Sequence, residues 1–230
     1  MKKLLTLLLI ASLSLNTFAQ KKLLSTSTYA KPSRDNFMLQ FGYETWANAP
    51  DSIKISGIGR AINAYITYDF PIQKSNFSFA AGAGVGVSNI YLKDQTIVLT
   101  DTLSMIQFVD ETVNYKKYKL TTTYLEAPLE FRYFSDKVDR NKGIKAAFGI
   151  KVGTLLSTHT KSKRTLNNKP LIEKEATKRF IESYRYSVTG RLGYGNFSVY
   201  GSYALSNLFK ANQGPENIRP IQIGLCITGL

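Results

Sequence analysis

Polar and apolar side chains alternate one for one through residues 120–134, LTTTYLEAPLEFRYF. Leu125, Ala127, Leu129, Phe131 and Tyr133 fall on one face; Tyr124, Glu126, Pro128, Glu130 and Arg132 fall on the other. A period of two means a β-strand with two unlike faces. The same alternation recurs at 37–46, 58–70, 77–92, 143–157, 184–194, 197–206 and 220–230, so the pattern predicts eight strands. Glycines at 82, 84 and 86 recur on one face of the third strand; with no following helix and no Lys-Ser/Thr they mark a face that needs room, not a phosphate loop.

The connections alternate in length. Those after strands two, four and six are short (71–76, 135–142 and 195–196), and Gly195-Asn196 is a two-residue hairpin signal. Those after strands one, three, five and seven are longer, with 93–119 and 158–183 the longest. Alternating stretches at 105–109 and 113–115 would extend the flanking strands as a hairpin, and 170–182 could form a short helix. An even strand number, strands near the ~10 residues that cross a bilayer at a tilt, and alternating short turns and long loops predict an all-β, eight-stranded antiparallel up-and-down transmembrane barrel.

The aromatic residues agree with this. Phe37, Tyr68, Phe70, Phe77, Phe79, Phe131, Tyr133, Tyr194 and Phe197 gather at the expected periplasmic rim. Tyr43, Tyr91, Tyr184, Tyr186 and Tyr203 gather at the outer rim, with aliphatic residues between the two groups. Two aromatic girdles around an aliphatic belt match a bilayer's interfaces. A soluble exported ligand-binding β-barrel has the same alternation but no reason for the girdles.

The polar faces then point into a lumen that side chains fill. Glu44, Glu126, Glu130, Arg132, Lys145, Lys151, Arg185 and Arg191 are expected there as a structural charge network, since buried charges require partners. If the 135–142 turn pairs Phe134 with Gly143, Glu126 stands opposite Lys151 and Arg132 opposite Lys145, with Glu130 diagonal to Lys145. The Gly195-Asn196 turn sets Arg191 opposite Tyr200, in reach of a cation–π or hydrogen-bonded contact.

The N-terminus reads as a leader over residues 1–19: Lys2 and Lys3, an apolar run, then Thr17-Phe18-Ala19 before cleavage at Gln20. Residues 20–36 lack periodicity and read as a flexible periplasmic lead-in to a barrel over 37–230. The formal charge of +14 would suggest nucleic acid in a cytosolic protein; an exported one meets anionic lipid and surface glycolipid instead. One cysteine, Cys226, excludes an internal disulfide. One histidine and one cysteine cannot close a metal site, so no metal and no cofactor are expected. A lipid-modifying hydrolase would have to use His159 with Ser157, for which no orienting third group is identifiable. No catalytic residue is assigned.

The hexapeptide Tyr124-Leu125-Glu126-Ala127-Pro128-Leu129, the glycine-rich third strand and a leader ending before Gln20 resemble the PorT-like outer-membrane β-barrels of Bacteroidota. In that family a proline is habitual in this strand, at a bulge. Leu230 departs from the terminal aromatic common in outer-membrane barrels. The resemblance implies an outer-membrane location in a Gram-negative cell, outer-membrane lipid and other envelope or secretion proteins as partners, and, through the founding member, a link to type IX protein secretion.

Overall fold

The computed structural model describes residues 35–72, 75–98, 104–111, 115–136, 138–166 and 169–229, within the compact unit Lys31–Leu230. The expected leader at 1–19 lies outside the described residues. The strands are β1 (Phe37–Ala47), β2 (Gly59–Pro71), β3 (Phe77–Leu92), β4 (Gln95–Val98), β5 (Gln107–Asp110), β6 (Lys117–Phe134), β7 (Ile144–Leu166), β8 (Lys169–Ala176), β9 (Tyr184–Tyr194), β10 (Phe197–Ala204) and β11 (Arg219–Thr228).

Eight of them close a ring in the order β1, β2, β3, β6, β7, β9, β10, β11 and back to β1, every pair antiparallel. Following directly paired residues once round the ring leads from Phe148 through Gly190, Gly201, Ile223, Tyr43, Arg60, Asn89 and Thr121 to His159 on the same strand. That offset is the stagger of a barrel whose strands lean roughly 35–45° from its axis.

The alternation sorts the two faces as expected. Outward residues such as Ile66, Phe148, Leu192, Tyr194, Phe197 and Leu225 are 61–70% exposed, whereas inward Asn63, Cys226 and Arg132 are at most 1% exposed. A soluble protein rarely leaves a continuous apolar girdle of this extent facing water. Phe77 stacks on Phe131 at 5.1 Å between centroids and lies 5.3 Å from Tyr133, tying β3 to β6 at the lower rim.

The structure departs from the sequence reading in five places. Residues 170–182 contain no helix: β7 runs on to Leu166 and β8 folds back on it, His159 opposite Ala176 through Leu166 opposite Lys169. Glu173 and Glu175 point one way and Lys174 the other, a period-two split that no helix keeps. Residues 107–110 pair with 95–98 as a separate two-stranded sheet instead of extending β3 and β6; 112–114 lie outside the described residues. Phe134 pairs with Lys145, two residues beyond the expected Gly143. Gly143 leaves the ladder at φ +80°, and the Ser135 hydroxyl accepts the Ile144 N–H at 2.8 Å. Pro128 sits in register opposite Lys151, not at a bulge; the bulge is at Leu156, skipped where Thr123 pairs with Ser157 and Tyr124 with Leu155. The β3–β6 ladder instead passes over Gly82 and Ala83 beside Pro128, which has no N–H to donate. Finally, the lead-in is tied down at its end: Asp35 is 1% exposed, and Thr67 N–H donates to the Asn36 carbonyl at 2.7 Å.

All four outer connections fold over the mouth of the ring. Ile53, Ile97, Ile106, Phe180, Ile181, Leu208, Phe209 and Ile218 pack onto Trp46, Ile90, Leu92, Tyr118, Leu120, Tyr124 and Leu155. Backbone bonds knit the loops together: Ile106 N–H to the Gln213 carbonyl (2.9 Å), Lys210 N–H to Phe180 (3.0 Å) and Glu182 N–H to Leu208 (2.9 Å). The barrel therefore has an apolar lid of its own side chains.

Candidate functional site

Beneath that lid lies the lumen, and all eight residues expected in its charge network are buried there: Glu44, Glu126, Glu130, Arg132, Lys145, Lys151, Arg185 and Arg191. They form two tiers. In the lower tier Glu130 Oε2 accepts from Arg132 Nε at 2.8 Å and from Arg191 at 2.9 Å. Arg132 also reaches Asp69 at 3.1 Å, and Lys145 reaches Asp35 at 2.7 Å. In the upper tier Glu126 takes Arg185 at 2.7 Å and Lys151 at 3.6 Å, and accepts the Tyr65 hydroxyl. Glu44 accepts Gln222 at 2.7 Å and the Ser88 hydroxyl.

Each tier holds as many acidic as basic side chains. Asp35, Asp69 and Glu130 face Arg132, Lys145 and Arg191; Glu44 and Glu126 face Lys151 and Arg185. Between them Asn63 donates to Gln40 and to Gln222, each at 3.1 Å. Charges taken out of water need this pairing to avoid a penalty of several kcal/mol per ion.

The pairing partners differ from those expected from the turn. Glu126 stands opposite Gly153 and Gly84, Glu130 opposite Gly149 and Ala80, and Arg132 opposite Ala147 and Ser78. The long side chains are thus flanked by small ones on both neighbouring strands, and the ion pairs form diagonally. Lys145 is committed to Asp35, not to Glu130 or Arg132. Arg191 does lie opposite Tyr200, but its guanidinium is spent on Glu130. Sequence reading missed Asp35, Asp69 and Tyr65. Asp69 and Tyr65 were legible as inward positions of β2; Asp35 lies before any periodic segment and left no signal.

The lumen is filled. A cavity between Asp35, Arg132, Lys145 and Arg191 has a volume of about 10 Å³, room for about one water. Phe134 closes the lower end, with the Arg140 guanidinium 5.2 Å and the Lys145 ammonium 5.8 Å from its ring centre. Above the lid, a wider cavity of about 250 Å³ lies between the two outer hairpins, lined by Tyr118, Thr160, Ser162, Glu173 and Glu175 among others.

His159 and Ser157 stand toward the outer end of the β6–β7 ladder, paired with Thr121 and Thr123, past the point where β9 leaves β7 at Thr154. Lys174, Lys119 and Lys161 surround the imidazole and, after partial burial, lower its pKa. No carboxylate orients it among the described residues. Nor is any group of three or more His, Cys, Asp or Glu side chains among them placed to hold a metal ion.

Among curated proteins and among solved structures, none matches the chain. A family model described as outer membrane protein beta-barrel domain matches residues 18–210. That match covers most of the sequence, and the closed antiparallel ring, the apolar outer belt and the polar filling are the features such a domain requires. The chain belongs to the outer membrane protein beta-barrel domain family and resides in the outer membrane.

Proposed function

We propose that this barrel is a non-conducting, non-catalytic component of the envelope that works by presenting its outer hairpins to other envelope proteins. The observation that carries this reading is the double seal: a charge-balanced, side-chain-filled lumen beneath an apolar lid to which every outer loop contributes. Such a build favours a rigid post over a pore. Among the described residues no carboxylate orients His159 toward Ser157, so their surroundings lend the lipid-hydrolase reading no support. The resemblance carried by residues 124–129 suggests type IX secretion machinery as the partner.

Two measurements test this. In planar bilayers the purified protein is expected to show no ohmic conductance; steady single-channel openings would refute the sealed post. Photo-cross-linkers placed at Val109 and Ile172, both exposed on the outer hairpins, are expected to capture envelope proteins in native membranes. Recovery of lipid adducts alone would argue against the interaction role.

A further inference from the structure

Above the outer rim, β6, β7 and β8 continue as a sheet, with β3 beside β6 as far as Leu92; its outer face is basic and its inner face mixes both signs. On the inner face stand Tyr118, Thr160, Ser162, Glu173 and Glu175, with Arg164 paired to Glu173 at 3.1 Å. On the outer face, Lys117 pairs with Lys163, Lys119 with Lys161, and Lys161 with Lys174. Arg60 on β2 joins them: it stands across from Asn89, which accepts the Lys119 ammonium at 2.6 Å, and its guanidinium lies 6.0 Å from the Tyr91 ring centre.

This basic face is the upward continuation of the lipid-facing surface. On β6 the odd positions run from Tyr133 through Leu125 on the apolar belt to Thr121, Lys119 and Lys117 without a change of side. On β7 the belt is carried by even positions, Ile144 to Val152, so the odd-numbered Lys161 and Lys163 would point inward. The extra residue at the Leu156 bulge flips the parity and puts them outside. Among the described residues no carboxylate shares this face. Burial first, and then the neighbouring Lys161 and Arg60 charges, push the Lys119 pKa down.

Like charges gathered on one face, unneutralised by the protein, call for an anion from outside. Their height limits which one. They begin where the ~25 Å apolar belt ends, at the level of the outer leaflet's head groups. We infer that Arg60, Lys119, Lys161 and their neighbours Lys117, Lys163 and Lys174 bind the phosphate groups of a phosphorylated glycolipid in the outer leaflet, anchoring the barrel laterally to its lipid annulus. The inner face of the same sheet offers no such basic cluster, its Arg164 being paired with Glu173, so the ligand approaches from the outer face.

The test uses the full barrel in uncharged detergent, titrated with diphosphorylated glycolipid and with the same lipid after removal of its phosphates. Wild type should prefer the phosphorylated form. The triple variant R60Q/K119Q/K161Q should bind it about a hundredfold more weakly, as expected from loss of three head-group contacts. K142Q, on the exposed periplasmic turn, should bind as wild type. Equal binding of the dephosphorylated lipid, or an unchanged triple variant, overturns the assignment. Should the triple variant fail to fold, as judged by heat-modifiable gel mobility, salt titration of wild type decides. Affinity falling steeply with ionic strength supports the phosphate site, and a flat response refutes it.

Discussion

The Arg185 guanidinium stacks on the Tyr124 ring, 3.9 Å from carbon to centroid, while donating to Glu126 at 2.7 Å. Tyr124 belongs to the apolar lid and Glu126 to the upper ion tier, two residues apart on one strand. One cation thus joins the lid to the filling. A cation–π contact is stronger once water is excluded, and both partners here are buried.

Removing that link should be costly. Arg185→Ala leaves Glu126 with Lys151 as its remaining cation and opens space under the lid; breaking a buried pair from one side costs about 3–5 kcal/mol. Arg185→Lys keeps the charge but loses the planar stack, so it should recover only part of the loss. Denaturant unfolding of the barrel checks both. Trp46, edge-on to Phe209 at 6.1 Å inside the lid, is the chain's one tryptophan and gives the fluorescence signal. Wild-type stability in Arg185→Ala would mean that the lid and the filling are independent.

Gly86 of β3 should differ sharply from Gly190 of β9. A Cβ at Gly86 would sit 2.7 Å from Glu126 Oε2, which the upper tier holds in place, and 2.9 Å from Asn63 Oδ1. Gly86→Val should therefore cost about 1–3 kcal/mol through overpacking. At Gly190 a Cβ meets only the Ala147 carbonyl at 3.9 Å, and Gly190→Ala should be neutral or stabilising by up to about 1 kcal/mol. Equal effects at the two sites, in the same unfolding measurement, would sink the view that β3 is small because the filling needs room.

The β6–β7 register is open to a direct check. Ala127 lies opposite Val152, so cysteines at 127 and 152, with Cys226 replaced by Ser, should form a disulfide on mild oxidation, read as a gel or mass shift. Cysteines at 127 and 150, the pair that a Phe134–Gly143 turn would create, should not. The reverse result would restore the shorter turn.

That register shows where the sequence was legible and where it was not. Period-two alternation fixes which residues of β1, β6, β7 and β9 face inward, so all eight network residues could be named before their partners were known. Alternation is blind to a shift of two residues, because such a shift keeps every side chain on its face. The partners therefore depended on how the 135–142 turn closes, and the Ser135–Ile144 bond together with Gly143 decided that. The lid was illegible for a different reason. Ile53 and the adjacent pairs Met105-Ile106, Phe180-Ile181 and Leu208-Phe209 are short apolar islands in polar loops, with no period to mark the residues that become core. Asp35 likewise stands before the first strand, and only closure of the ring brings it to Lys145.

The outer loops should respond to acid through one clip. Asp110 Oδ1 accepts Gln95 Nε2 at 2.8 Å and Lys54 at 3.0 Å, while Gln95 also accepts the Lys54 N–H at 2.8 Å and donates to the Ser52 carbonyl at 2.7 Å. The β4–β5 hairpin is fastened to the first outer loop in this way. Gln95 first, then Lys54, holds the exposed Asp110 carboxyl below its ordinary value of 3.8. A carboxyl with a lowered folded-state pKa stabilises the closed loop fully above the ordinary value and loses that contribution as pH falls through the lowered one. The clip should hold at pH 7 and loosen only below about pH 4. Asp110→Asn should loosen it at pH 7 and abolish the acid step. Hydrogen exchange at the Lys54 amide, corrected for its intrinsic rate at each pH, is the readout. Exchange that accelerates with acid equally in wild type and Asp110→Asn would assign the opening to another group.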